Sequence, residues 1–128
     1  MFFQRSKDSS VKETRLDAGE IAVHVLPASN HLTVVVAGRV TVDSSPNLRS
    51  ALLELLRRNA APVMVIDISA VSYLDMSGIA TFLEGLKAAR ISSVKLRLAG
   101  VSGQSRTLAE IAQLDTIFRA SGSQVEFR

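Results

Sequence analysis

The apolar run at residues 63–66 restricts the fold of this chain more than any other segment. Its residues are all large and apolar, with no polar residue among them, which is typical of a strand buried on both faces at the centre of a sheet. Residues 48–56 before the run and residues 79–86 after it repeat apolar side chains at helical spacing. We expect Ser45 to cap the first of these helices. A buried strand between two amphipathic helices predicts an α/β layer structure.

Weaker patterns extend this alternation in both directions. Residues 21–25 alternate large with small or polar side chains, and residues 32–36 are rich in β-branched side chains. The turn signal between them predicts an antiparallel hairpin. Further segments follow the second helix: a strand at residues 94–98, helical segments within 108–118 and a short strand at 125–127. We therefore expect an α/β fold with a mixed β-sheet of four to five strands, packed by three to four helices.

The length of 128 residues suits one domain. Residues 1–19 are mostly polar or charged, and we expect them to form a flexible N-terminal arm or a weakly held strand. Residues 20–128 carry all the patterns above and are expected to form the folded domain. Hydrophobic residues make up 47% of the chain, which excludes disorder of the whole chain.

The composition also excludes several classes of protein. The chain has no cysteine and two histidines, which excludes disulfide frameworks, thiol catalysis and cysteine-based metal sites. The net charge of +3 is spread along the sequence without a basic stripe, and we expect no direct contact with nucleic acid. The apolar runs are far shorter than a membrane span, and the N-terminus lacks the apolar core of a secretory signal. We expect a cytoplasmic protein without membrane insertion and without a cofactor; its oligomeric state stays open.

The most unusual segment joins the central strand to the second helix. A loop is predicted at residues 70–76, with a helix beginning near Ser77. The polar residues expected together around this loop are Asp67, Ser69, Asp75 and Ser77. Ligands and partners of open α/β sheets bind at this end of the strands, and a helix N-terminus favours anions such as phosphate. The same residues also fit a plain helix cap, in which Asp75 and Ser77 only satisfy free N–H groups.

Catalytic interpretations find little support in the residues. The sequence has no nucleophile elbow, no dinucleotide fingerprint and no Walker lysine motif. His24 and His31 flank the predicted hairpin turn with no carboxylate beside either, and Ser77 has no evident base partner. Asp67 with Asp75 would suit an acidic, receiver-type metal pocket, but the further acidic pair and the lysine of such a pocket are missing. We expect no catalytic residue and no metal site.

Residues 67–79 resemble the signature loop of the STAS domain family, and in particular of its anti-sigma-factor antagonists. The family pattern has Asp-x-Ser after a buried strand, here from Asp67, and then Asp-Ser-Ser-Gly-Leu/Ile at a helix start, here residues 75–79. Residues 36–41 resemble the family's Gly-Glu-Leu-Asp turn. Weaker matches follow in the right order at residues 98–101 and 108–118. The resemblance covers the whole predicted domain and implies a STAS-like fold.

What the resemblance implies is a non-enzymatic regulatory module. Family members of this type bind an anti-sigma factor with serine kinase activity, which frees the sigma factor for transcription. The kinase phosphorylates the serine before the glycine, here Ser77, the pair separates, and a serine phosphatase restores binding. The implied partner-binding residues are Arg39, Thr41, Asp43, Asp75, Met76, Ser77 and Gly78.

Two departures from the family pattern leave an alternative open. Met76 stands where the first serine of the motif is usual, and Arg39 and Thr41 replace the acidic residues of the upstream turn. Asp43 is an acid nearby that could substitute for the second of them. If such acids help the kinase to reach the serine, a second role fits a chain without them. That role is a non-phosphorylated STAS adaptor or scaffold subunit of a transporter or stress-sensing complex.

Overall fold

The strands of the chain form one sheet in which their spatial order equals their order in the sequence. The computed structural model describes residues 14–58 and 61–128. Its elements are β1 (Thr14–Ala18), β2 (Ile21–Pro27), β3 (His31–Val40), α1 (Ser45–Arg58), β4 (Val63–Leu74), α2 (Met76–Ile91), β5 (Lys95–Val101), α3 (Gly103–Ile111), α4 (Leu114–Ala120) and β6 (Gln124–Phe127).

The sheet is mixed, as the sequence predicts. The pairs β1–β2 and β2–β3 are antiparallel, and β2 with β3 forms the predicted hairpin. The pairs β3–β4, β4–β5 and β5–β6 are parallel, because each is connected through helical crossovers. The mixed sheet and the four helices confirm the predicted fold class. The described strands number six, more than expected, because Thr14–Ala18 pairs with β2.

Most of the predicted N-terminal arm lies outside the residues that the structure describes. Residues 1–13 lie outside the described residues, so the expected arm or weakly held strand at residues 1–19 stays a prediction. Within it, the backbone of β1 runs antiparallel to β2, with Ala18 opposite Ile21.

The core lies on one face of the sheet. Val34, Ile66 and Leu98 are in register on β3, β4 and β5, and all three are buried. They join the buried residues of all four helices in a single hydrophobic cluster. Val63 and Val65 point to the opposite face and are only half-buried. The prediction that residues 63–66 are buried on both faces is therefore wrong, because the helices cover the central strand from one side only.

The fourth strand is longer than the sequence pattern predicts. The expected loop at residues 70–76 is wrong, because β4 continues to Leu74 and stays paired with β3 as far as Val40. Its pairing with β5 ends earlier, at Asp67. At Leu74, the side-chain amide of Gln104 in α3 makes the hydrogen bonds that a neighbouring strand would make. It accepts from the Leu74 N–H at 2.9 Å and donates to the Leu74 carbonyl at 2.6 Å. These bonds fix the end of β4 immediately before α2 begins.

Two glycines of α2 allow a direct test of how closely this helix packs on the strand ends. A Cβ on Gly78 would overlap the buried Leu74 side chain and lie 2.9 Å from Val40 Cγ1, whereas a Cβ on Gly85 would meet Leu52 and Leu96 at 3.9 Å. We expect Gly78→Ala to lower the free energy of unfolding by about 1–2 kcal/mol through overpacking. Gly85→Ala is the matched control and should raise it by about 0.5–1 kcal/mol, because alanine favours the helix. Urea unfolding measures both, and equal effects of the two substitutions would contradict this packing.

Candidate functional site

The ends of β3 and β4 bring two helix N-termini together. The turn at residues 41–44 follows β3 and leads into α1, and Asp75 follows β4 and precedes α2. The Asp75 N–H donates to the Val40 carbonyl at 3.1 Å, which ties the two strand ends to each other. The site is therefore formed by chain segments that are distant in sequence and adjacent in the sheet.

The carboxylate of Asp75 is the N-cap of α2 and also holds the neighbouring turn. Its Oδ1 accepts from the N–H groups of Ser77 at 2.9 Å and Gly78 at 3.3 Å, and from the Ser77 hydroxyl. Its Oδ2 accepts from the Val42 N–H at 3.1 Å. The cap interpretation of Asp75 is thus correct, and the same carboxylate also connects α2 to the turn that leads into α1.

These hydrogen bonds set the protonation state of Asp75. Its partial burial by itself would raise the pKa of the carboxyl group, because it disfavours the charged form. The hydrogen bonds from the Ser77 side chain and from the N–H groups of Gly78, Ser77 and Val42 outweigh that effect and lower the pKa below its ordinary value. Asp75 is therefore a carboxylate at neutral pH.

Ser77 lies between two polar side chains. Its hydroxyl donates to Asp75, and its Oγ lies 2.6 Å from Oγ of Ser45, the first residue of α1. The Ser45 hydroxyl also donates to the Thr41 carbonyl at 2.7 Å. Two hydroxyl protons serve these three contacts, so one of the two protons is shared between two acceptors.

The contact with Ser77 corrects the role predicted for Ser45. We expected Ser45 to cap α1, but the carbonyl that accepts from Leu48 N–H, at 3.2 Å, is that of Ser44. Ser44 is therefore the residue that precedes the helix, and Ser45 is 5% exposed inside its first turn. Helix spacing alone could not reveal this role, because the contact joins two helices.

The predicted partner-binding residues all lie around this junction and differ in accessibility. Arg39, Asp43 and Met76 are exposed, Asp75 and Ser77 are half-buried, and Thr41 and Gly78 are buried. Met76, the residue in the usual serine position, is 54% exposed and points outward.

Asp67 and Ser69 do not belong to this junction, contrary to the prediction. Asp67 pairs across the sheet with Val35 and Ala99, whereas Leu74 pairs with Val40. Seven residue-to-residue steps of extended strand separate Asp67 from Leu74 and span about 23 Å. Asp67 accepts instead from the Ser69 N–H at 2.9 Å. The expectation failed because an apparent loop is a strand, which carries the two polar pairs apart.

Sequence reasoning missed three residues at the junction. Val42 is 68% exposed beside Asp75, and Tyr73 is exposed at the end of β4. The Arg39 guanidinium lies 4.7 Å from the Tyr73 ring centroid. Glu20, in the turn between β1 and β2, accepts from the Thr41 hydroxyl and pairs with Arg39 Nε at 3.3 Å. An exposed valine in a turn was a local signal for Val42; the positions of Tyr73 and Glu20 depend on strand register.

The part of the chain that the structure describes contains neither a metal-binding cluster nor a membrane-spanning helix. Within residues 14–58 and 61–128, no three His, Cys, Asp or Glu side chains are grouped so that they could hold a metal ion. In the same residues, no helix is both long enough and apolar enough to cross a bilayer.

The cap predicts a pH-dependent contribution of Asp75 to stability. Because the folded-state pKa of Asp75 is lowered, its contribution is present above the unfolded-state pKa and is lost as the pH falls through the folded-state pKa. We expect Asp75→Asn to be less stable than the wild type at pH 7, by about 1 kcal/mol or less, and the gap to close towards pH 3. Chemical unfolding at several pH values measures it. Asp43→Asn, in the neighbouring turn at residues 41–44, is the control and should change stability by less than about 0.5 kcal/mol. A gap for Asp75→Asn that persists unchanged at pH 3 would contradict the assignment.

Solved structures share the fold. An anti-sigma factor antagonist from Mycobacterium paratuberculosis matches with a TM-score of 0.71 at 22% identity, covering 80% of this chain and 87% of that chain. A protein from Thermotoga maritima, described as an anti-sigma factor antagonist by inference, matches with a TM-score of 0.63 at 13% identity, covering 80% of this chain and 83% of that chain.

Sequence comparison is more specific. Two anti-sigma-B factor antagonists, from Listeria monocytogenes and Listeria innocua, are each 30% identical to this chain over 98 residues, which is 77% of this chain and 85% of each relative. The family model described as "Mlab, STAS domain" matches residues 23–119. That match includes the Asp75 cap, the Ser45–Ser77 contact and most of the sheet, and on this ground the chain belongs to the STAS domain family.

Proposed function

We propose that this chain is a non-enzymatic anti-sigma-factor antagonist that binds an anti-sigma factor with serine kinase activity in the cytoplasm. We further propose that phosphorylation of Ser77 by this partner switches binding off and that a serine phosphatase restores it. The observation that carries the proposal is the setting of Ser77 at the first turn of α2, between Asp75 and Ser45. The Listeria relatives are named anti-sigma-B factor antagonists, which supports an anti-sigma factor as the partner.

The hydrogen bonds of Ser77 suit a phosphoacceptor. Its hydroxyl is held by the Asp75 carboxylate on one side and by the Ser45 hydroxyl on the other. A kinase that docks on this face meets an acceptor oxygen whose direction is already restricted, which lowers the entropy cost of reaching the reactive geometry. The residue is half-buried rather than enclosed.

The electrostatics of the junction suit a switch. A phosphoryl group adds nearly two negative charges, and the N-terminus of α2 tolerates negative charge within the free protein. At an interface, the same group would lie against the Asp75 carboxylate and the partner surface. An unpaired interfacial charge costs about 2–5 kcal/mol, which weakens binding roughly thirty-fold to several thousand-fold.

The exposed residues around Ser77 form a surface suited to a protein partner. We call Arg39, Val42, Tyr73 and Met76, together with Ser77, the switch face. Val42, whose N–H donates to Asp75, and Met76, which follows Asp75 in the chain, are exposed apolar side chains. Burial of such side chains under a partner stabilises the complex. Thr41 and Gly78 are buried; their proposed role is to hold the switch face in shape.

Substitution of Ser77 tests the proposed switch. We expect a tagged wild-type chain and Ser77→Ala to retain a kinase-type anti-sigma factor from a native-host lysate, whereas Ser77→Asp loses it because of the added charge. Mass spectrometry identifies the retained protein. With ATP, the recovered kinase should phosphorylate the wild type and leave Ser77→Ala unmodified. Ser50→Asp is the matched control, because Ser50 is an exposed serine in α1 outside the switch face, and it should bind as the wild type does.

Two results would contradict this proposal. Equal phosphorylation of the wild type and Ser77→Ala would show that Ser77 is not the acceptor. Retention of the same partner by the wild type, Ser77→Ala and Ser77→Asp would reduce Ser77 to a helix-cap residue. That second result would favour the non-phosphorylated adaptor or scaffold, the role to which the substitutions at Met76, Arg39 and Thr41 point.

A further inference from the structure

The end of β3 and the turn after it lack an acid at both positions where the family pattern has one. Arg39 and Thr41 occupy those positions. Asp43, the acid of this turn, is exposed, and its backbone N–H donates to the Thr41 hydroxyl at 3.1 Å. The structure nevertheless has a carboxylate at this position, and it comes from a different part of the chain.

That carboxylate is Glu20. One of its oxygens accepts from the Thr41 hydroxyl, and the other pairs with Arg39 Nε at 3.3 Å. Its backbone carbonyl accepts from the Arg39 N–H at 3.1 Å. Glu20 thus contacts both residues that stand in the place of the family's acids.

A glycine permits this close approach. Gly38, directly before Arg39, has a φ of +100°, and a Cβ there would overlap the Glu20 carbonyl oxygen. Only glycine combines this backbone conformation with the absence of a side chain. The start of β2 can therefore lie against the end of β3, where the Glu20 carboxylate reaches Thr41.

Glu20 also changes the charge of the surface beside the switch face. Residues 39–45 and 73–78, taken together with Glu20, contain three carboxylates, Glu20, Asp43 and Asp75, and the cation Arg39. Three negative charges and one positive charge give −2 here, on a chain whose net charge is +3. The contrast favours a partner whose docking surface is basic, because complementary charge strengthens and orients association.

We infer that Glu20 is a specificity-determining residue for the partner: it supplies, from the turn between β1 and β2, the carboxylate that positions 39 and 41 lack, and a basic surface of the anti-sigma factor recognises it. This inference rests on the proposed function. Glu20 is accessible for that role, because about a third of its side chain is exposed while its oxygens remain oriented by Thr41 and Arg39.

Relocation of the charge tests the inference. The probe is the anti-sigma factor retained by the wild-type chain in the capture experiment, produced recombinantly, and its affinity is measured by calorimetry. Glu20→Gln keeps the shape and removes the charge, and we expect binding to weaken about tenfold. The double variant Glu20→Gln/Thr41→Asp places a carboxylate at position 41, where the side-chain amide introduced at position 20 can donate to it. We expect this double variant to bind within about threefold of the wild type.

The controls separate recognition from stability. Glu84→Gln removes another accessible carboxylate that is paired with an arginine, here Arg49 at 2.6 Å, and should bind as the wild type does. Thermal unfolding of every variant monitors folding, which a merely structural role of Glu20 would disturb in the single and the double variant alike.

The outcomes distinguish this inference from the proposed function. Wild-type affinity in Glu20→Gln, or failure of Thr41→Asp to restore binding in the folded double variant, would overturn the role of Glu20 while leaving the Ser77 switch intact. Binding without phosphorylation of Ser77 would overturn the proposed switch, and the charge-relocation measurement would still decide the role of Glu20. A wild-type chain that retains no anti-sigma factor would overturn both.

Discussion

The Asp75 carboxylate joins two parts of the chain that the sequence separates by 33 residues. With one oxygen it caps α2, and with the other it binds the Val42 N–H in the turn before α1. The position of Ser77 depends on both contacts, because its hydroxyl donates to Asp75 and its Oγ meets Ser45 from α1. Without this carboxylate, the first turn of α2 and the Val42 N–H would lose their shared acceptor.

The sheet makes this junction possible. Parallel pairing of β3 with β4 ends both strands at the same edge, with Val40 opposite Leu74. Gly78 lets α2 start directly against those two side chains, and Gln104 closes the other side of Leu74. These contacts hold the strand ends and α2 together, and the proposed switch needs no change of fold.

Local patterns predicted the parts of this structure that local physics decides. Apolar spacing predicted the hairpin, the alternation of strands with helices and a helix start within one residue of Met76. The polar pair Asp67 and Ser69 was misplaced, because an extension of β4 that depends on pairing with β3 has no strong local signal. The contact of Ser45 with Ser77 and the position of Glu20 were not predicted, for a related reason. Both residues reach the junction through contacts between distant segments, which helix or strand periodicity does not encode.

We propose that the partner binds at the face around Asp75 and Ser77. Hydrogen–deuterium exchange of the chain, free and with the recovered anti-sigma factor, tests it most directly. With the anti-sigma factor bound, we expect new protection in peptides that cover residues 41–44 and 73–78. Phosphorylation of Ser77 in the complex should abolish this protection, because the two proteins then separate. Protection confined to α3 and α4, or to the open face of the sheet, with residues 41–44 and 73–78 unchanged, would contradict it.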